Sequence, residues 1–286
     1  MMARMDAQPR TLLPTEVRLV DAGDGRRLER FGARLVDRPA QGAVSPRRDA
    51  AAWEAADLRF LAGRGWSGPA GHEAPWSVAV HGLTLELRPT SSGGVGLYPE
   101  HAANLAWLEG RIHARAGEDA PAVLNLFAHT GLATLACARA GASVTHVDAA
   151  RSSVAWARRN AELNELAERP IRWISDDAQG FVDREARRGR RYDGFVIDPP
   201  TFGRAVGGRW AIRGDLPRLL ASCAALATDD AFVLLTAHST GLDPTELAQA
   251  VGGAFGTSPG ERVTRRLQLD ADSGATLDLG WAVLVG

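Results

Sequence analysis

The chain contains no lysine, so all 33 of its basic side chains are arginine. That absence excludes a lysine nucleophile or Schiff base, and also a Walker-type phosphate loop, whose motif requires lysine. Cysteine is nearly absent too. Cys137 and Cys223 alone cannot build a disulfide framework or a cysteine-rich zinc site. A charge surplus is missing as well: 33 cations against 34 anions leave a formal net charge of −1. No global basic field marks a nucleic-acid binder, which leaves only local patches for such contacts. No apolar run approaches the roughly 18 residues that a membrane span needs, so no membrane partner is expected. Met1 to Arg10 has mixed character without the apolar core of a signal peptide. A cytoplasmic protein is expected.

What is present is the composition of a folded chain: 286 residues, 45% apolar and 23% charged. That length suits one large α/β domain, or a small domain joined to a catalytic one. The sequence changes character near Gly93. Before it, short extended segments alternate with turns: Glu16 to Val20, the Asp24-Gly25 turn, and Phe31 to Val36. Trp76 to Val80 and Leu83 to Leu87, joined by His81-Gly82, predict a hairpin. Gln41 to Arg48 and Gly63 to Pro75 read as loops, and Asp49 to Leu61 as a helix capped by Asp49. Residues 1–92 are thus expected to form a small β-rich N-terminal subdomain, with 93–286 as the second domain.

After Gly93 the rhythm is regular. Apolar runs at Ala122 to Phe127, Ser143 to Val147, Ile171 to Ile174, Gly194 to Ile197 and Ala231 to Leu235 predict buried strands. Gly131 to Ala140, Arg151 to Leu163, Ala178 to Arg188 and Asp215 to Ala227 predict the helices between them. Such alternation implies right-handed βαβ units in a doubly wound parallel sheet. A helix at Asp243 to Ala254 follows. Arg262 to Leu269 and Thr276 to Val285 then predict an antiparallel hairpin at the sheet edge.

Ligands of doubly wound sheets bind beyond the carboxyl ends of the strands. The first such loop reads Asn125-Leu126-Phe127-Ala128-His129-Thr130-Gly131. Its single glycine departs from the G-x-G-x-x-G spacing that brings a backbone close to a pyrophosphate, which argues against NAD or FAD. A small turn with polar side chains suits the amino-acid end of S-adenosylmethionine. The second strand ends at Asp148, about 20 residues after that loop, where an acid can accept both ribose hydroxyls; a helix cap is the competing role. The third strand ends in Asp176-Asp177. One of these acids can accept from an adenine amino group, and Asp177 is the choice, with capping again the competing role.

The fourth strand ends in Asp198-Pro199-Pro200-Thr201-Phe202. Two prolines remove backbone donors and stiffen the chain. They hold the Asp198 carboxylate and nearby carbonyls where a planar substrate's amino group can donate, and Phe202 can stack on a base.

With these residues in view, the chain resembles the class I S-adenosylmethionine-dependent methyltransferases. It is most similar to the 23S rRNA family that includes cytosine-C5 and guanine-N7 enzymes. The resemblance runs from Gly93 to the C-terminus. It rests on Gly96-Leu97-Tyr98-Pro99-Glu100, the Leu-Asn-Leu-Phe-Ala-x-Thr-Gly loop and the Val-Asp strand end. Arg159-Asn160-Ala161-Glu162-Leu163-Asn164, Asp176-Asp177-Ala178 and Asp-Pro-Pro-Thr-Phe complete it. It implies a Rossmann-like class I methyltransferase sheet, S-adenosyl-L-methionine as cofactor and RNA, in particular rRNA, as partner. It also implies that the segment around Tyr98 and Glu100 closes over the cofactor.

The departures are as informative. Cytosine-C5 methylation needs a thiolate to attack C6. Relatives of that type carry cysteine after the fifth strand, where this chain has Thr236-Ala237-His238-Ser239-Thr240. Cys137 and Cys223 read as small core residues on helices. No separate N-terminal RNA-binding module is evident, and the arginines at 184, 187, 188, 190 and 191 read as a solvated face. His129 reads as lining the cofactor pocket, and His238 as a group beside the substrate cleft.

The expectation is therefore direct transfer of a methyl group to a nucleobase. Asp198, Pro199, Pro200 and Phe202 would act on the substrate side. Tyr98, Glu100, Asn125, Phe127, Thr130, Gly131, Asp148 and Asp177 would act on the cofactor side. No metal is required. The alternatives are a small-molecule methyltransferase and a catalytically idle S-adenosylmethionine-binding protein.

Overall fold

The computed structural model describes residues 16–286 apart from 70, 72–73, 116, 118, 206–207, 239–240 and 258–260. The stretch 1–10, and Ser239 and Thr240, therefore lie outside the described residues. The chain divides into two compact units. One holds Asn104–Arg266 and Gly280–Gly286; the other holds the described residues through Ala103 and Leu267–Leu279.

The second of these is built on a five-stranded sheet of order β1-β2-β3-β4-β5. Its strands are β1 (Val17–Gly23), β2 (Arg26–Phe31), β3 (Arg34–Pro39), β4 (Leu58–Leu61) and β5 (Gly65–Ser67), with the short helix α1 (Ala50–Glu54) before β4. The sequence reading placed one strand across Phe31 to Val36, but the chain reverses there, with Gly32 at φ 61°. Two strands result. The first was masked by its charges, since Arg-Arg-Leu-Glu-Arg-Phe lacks an apolar alternation. Those charges are buried as pairs: Arg38 Nε lies 2.5 Å from Glu29, and Arg26 Nε 2.6 Å from Asp37. The expected helix from Asp49 to Leu61 is also shorter. Asp49 does cap it, accepting from the Ala52 N–H at 3.0 Å. However, Asp57 exchanges hydrogen bonds with the backbone of Leu35, and β4 then pairs with β3. The expected loop at 63–75 contains β5. The hairpin β6 (Trp76–Val80) and β7 (Leu83–Leu87) forms as read, with His81 and Gly82 both at positive φ.

Asp21 organises this unit. It is fully buried and accepts from Trp53 Nε1 at 2.7 Å, Ser273 Oγ at 2.6 Å and the N–H groups of Arg48 and Asp49. Burial alone would raise its pKa; these donors outweigh burial and hold it at about 2.

After a 3-10 turn at Pro99–His101 comes α2 (Ala102–His113). The seven-stranded sheet follows: β8 (Ala122–Leu126), α3 (Leu132–Arg139), β9 (Ser143–Asp148), α4 (Arg151–Leu163), β10 (Ile171–Ser175), α5 (Ala178–Arg187) and β11 (Tyr192–Ile197). A small hairpin, β12 (Phe202–Ala205) and β13 (Gly208–Ala211), interrupts the alternation. Then come α6 (Ile212–Ala224), β14 (Ala227–Ala237), α7 (Pro244–Phe255), β15 (Arg262–Asp270) and β16 (Thr276–Val285). The order is β10-β9-β8-β11-β14-β16-β15, with β16 antiparallel to β14. This is the expected doubly wound sheet with its C-terminal hairpin at the edge. The strand order reverses between the parallel neighbours β8 and β11, which opens the crevice where such sheets take ligands.

The sheet core joins Leu124, Leu126, Phe195, Ile197, Val233 and Leu235 to Phe181, Leu219 and Leu220 from the helices. Gly194 is required here, because a Cβ at that position would stand only 2.1 Å from Cζ of the buried Phe232 ring. Helix α6 starts three residues earlier than read. The Asp215 carboxylate reaches back to the Ala211 N–H at 2.7 Å, so this acid closes the first turn instead of preceding it. Among the described residues, no helix is long and apolar enough to cross a membrane.

Candidate active site

The loop after β8 is shaped by its backbone. Phe127, His129 and Gly131 all have positive φ, at 57°, 48° and 93°. Only glycine adopts this region at no cost, and a Cβ on Gly131 would stand 3.0 Å from that of Ala157 in α4. Asp148 closes the turn from β9. One carboxylate oxygen accepts from the His129 N–H at 2.8 Å, and the other from the Ala150 N–H at 2.9 Å. Each oxygen has a second lone pair, so the two backbone bonds leave acceptor capacity for a pair of hydroxyls. Asp148 is partly exposed, as that task demands.

The sequence reading placed Asn125 against the cofactor. Its side chain is instead spent inside the fold: it is 2% exposed and donates to Thr134 Oγ1 at 2.9 Å. Thr134 in turn meets His146 Nδ1 at 2.9 Å. Burial holds the His146 imidazole down to about 3, with His129 and Arg158 adding to it. Thr130 is buried as well, and its carbonyl accepts from the Asn160 amide at 2.9 Å. That bond gives the Arg-Asn-Ala-Glu-Leu-Asn run of α4 a physical reason: it ties the helix to the loop.

Asp177 caps α5, accepting from the Gly180 N–H at 2.9 Å. Its neighbour Asp176 accepts from the Asp177 N–H at 2.9 Å and pairs with Arg184. Tyr98 and Glu100 belong to the other compact unit, where Tyr98 is 40% exposed and Glu100 is buried. Burial and the Arg38 charge pull the Arg27 guanidinium down, while Glu29 and Glu100 act against them.

The loop after β11 is shaped by side chains. Pro199 is buried, Pro200 exposed, and the Phe202 ring is 70% exposed. Asp198 Oδ1 accepts from Thr236 Oγ1 at 2.5 Å and lies 3.1 Å from His238 Nε2. The Pro200 carbonyl, expected to face a substrate amine, accepts from Trp210 Nε1 at 2.7 Å. Trp210 escaped the sequence reading because β12 and β13 were not foreseen. It packs its ring 5.3 Å from that of Phe127, linking this loop to the first one. Its only signal was an isolated tryptophan after a Gly-Gly pair in the sequence.

Both cysteines are fully buried. Burial pushes the Cys137 thiol up to about 12, and the Cys223 thiol upward as well. Neither is available as a thiolate nucleophile. The arginines at the end of α5 stand at the opposite end of the sheet, before β11. Several are committed locally: Arg188 to Glu185, and Arg191 to the carbonyls of Ala225 and Ala227.

Sheet order and loops together define a Rossmann-like methyltransferase fold. The solved S-adenosylmethionine-dependent methyltransferase from Agrobacterium tumefaciens is 30% identical, with a TM-score of 0.86 over 99% of this chain and 98% of that one. The chain belongs to the S-adenosylmethionine-dependent methyltransferases. Among curated proteins, the ribosomal RNA large subunit methyltransferase K/L of Magnetococcus marinus is 35% identical over 130 residues, 45% of this chain and 17% of its own length. The K/L protein of Methylococcus capsulatus is 35% identical over 130 residues, 44% of this chain and 18% of its own. The match thus spans about a sixth of those relatives' length. No protein-family model matches the chain.

Proposed function

We propose that this methyltransferase acts on a nucleobase of RNA, with ribosomal RNA as the class of substrate, in the cytoplasm. The observation that carries the reading is Phe202. A phenylalanine 70% exposed, four residues after the strand-end Asp198, is a stacking platform for an unpaired base. The relatives' ribosomal RNA names point the same way.

Residues 93–286 carry the transfer. The first loop, with Phe127, Thr130 and Gly131, holds the amino-acid end of the cofactor, and Asn125 supports that loop from beneath. Asp148 takes the ribose hydroxyls. Asp177 takes the adenine amino group with the acceptor capacity its cap leaves over. Tyr98 and Glu100 are assigned to the same cofactor by the family resemblance. S-adenosylmethionine supplies a methyl group already activated as a sulfonium, so the protein's task is orientation and exclusion of water. Asp198 orients the base, Pro199 and Pro200 stiffen its support, and Phe202 covers one face.

A second reading, transfer to a small planar molecule, is favoured by the net charge of −1. Mass spectrometry of rRNA nucleosides from a deletion strain separates the two. One methylated nucleoside should disappear and return with the parental gene but not with Phe202→Ala. An unchanged nucleoside profile would remove RNA as the substrate.

A further inference from the structure

We propose that Asp198 and His238 work as a proton-accepting pair, so that the atom methylated is a nitrogen bearing hydrogen, an exocyclic amine or a ring N–H of the base. The inference rests on the nucleobase reading and narrows it. Strands β11 and β14 are parallel neighbours paired through Ile197 and Leu235. One step beyond that pair, Asp198 faces Thr236, and His238 follows two residues later. Two groups 38 and 40 residues further along the chain thus meet at one Asp198 oxygen: Thr236 Oγ1 at 2.5 Å and His238 Nε2 at 3.1 Å from Oδ1.

The arrangement suits proton transfer better than simple support. Thr236 already fixes the carboxylate from the buried side. The imidazole and carboxylate are 28% and 27% exposed, accessible to a substrate yet partly desolvated. An imidazole hydrogen-bonded to a carboxylate is held in one orientation, and its protonated form is stabilised by the adjacent negative charge.

Such a pair has a use only for some nucleophiles. A ring nitrogen without hydrogen has no proton to release on methylation, and a ring carbon needs the thiolate that this chain does not place. With an amine, the nitrogen lone pair forms the new N–C bond while the S–C pair returns to sulfur, leaving a neutral thioether. The positive charge passes to nitrogen. The N–H pair then stays on nitrogen as the proton moves to His238, giving an N-methylated base and an imidazolium beside Asp198. Water takes the proton afterwards.

The test uses the full-length protein, unmodified 23S rRNA made by transcription, and radiolabelled methyl donor. His238→Gln can still donate a hydrogen bond to Asp198 but cannot take up a proton. It should lower kcat by about 10²-fold or more while calorimetric binding of S-adenosylhomocysteine stays unchanged. His238→Ala should regain part of the rate with added imidazole. Mass spectrometry and NMR of the product should place the methyl on a nitrogen that carries hydrogen in the unmodified base. A His238→Gln variant at the parental rate, or methylation on a carbon or on a ring nitrogen without hydrogen, would overturn the pair and leave the nucleobase reading standing. No incorporation into RNA by the parental protein would overturn that reading and the pair with it.

Discussion

The two loops that flank the crevice are built from different materials. The loop after β8 is held by main-chain geometry: three residues at positive φ, a carboxylate on two N–H groups, and the Asn160 amide on the Thr130 carbonyl. The loop after β11 is held by side chains, with Thr236 and His238 on Asp198 and Trp210 on the Pro200 carbonyl. A backbone cradle suits a ligand that is always the same, because its shape tolerates few sequences. A side-chain cradle can be changed one residue at a time without refolding the loop. On the proposed assignment, the first loop serves the shared cofactor and the second the substrate that distinguishes one methyltransferase from another.

Substitutions should break this contrast in order of size. Asp198→Ala should cost at least as much activity as His238→Gln, a loss of about 10²-fold or more in kcat from misorientation, with cofactor affinity kept. Steady-state kinetics beside calorimetry reads both; equal loss of the two would merge the loops into one site. Asp148→Ala should do the reverse, costing about 1–3 kcal/mol of cofactor affinity. It should also lower the thermal midpoint, since two N–H groups lose their acceptor. Unchanged calorimetry would detach Asp148 from the cofactor.

The first loop should also be the more sensitive to acid. His146 lies beneath it with a pKa of about 3, against 6.5 when unfolded. Between those values the unfolded chain binds a proton that the folded chain does not. Stability should therefore fall as pH drops from about 6.5 toward 3, by up to ~1.4 kcal/mol per pH unit. Asp21 and Glu185, both held at about 2, add a loss in the same direction once pH falls below about 4. Urea midpoints at pH 7, 5.5 and 4.5 should decline for the parent and less steeply for His146→Leu.

The smallest effect on transfer should come from Cys137→Ala combined with Cys223→Ala. This double variant should methylate at close to the parental rate. RNA containing 5-fluorocytosine should form no thiol-linked complex with the parent; a trapped complex would restore carbon methylation.

Much of this was legible before any coordinates. The strand–helix alternation from Ala122 onward was, because burial on both faces of a parallel sheet writes continuous apolar runs into the chain. Helix α4 began and ended where its pattern did. Asp148 and Asp198 were legible from their places at strand ends. The N-terminal sheet was less so, since β2 hides its burial behind charges, two of which, Arg26 and Glu29, find their partners on β3. Asn125 is ambiguous for a related reason: a polar residue at a strand end reads the same whether it faces a ligand or Thr134.

The sequence by itself determined the sheet, its helices, the single-glycine loop and the missing thiolate, because each follows from local periodicity or from the residues simply being there or not. Only the tertiary structure decided which polar groups meet. Asp21 finds Ser273 at a separation of 252 residues, and Asp198 finds His238 at 40. Trp210 reaches the Pro200 carbonyl only because β12 and β13 fold back on each other. Hydrogen bonds act over about 3 Å, and no pattern along the chain encodes which distant residues will come that close.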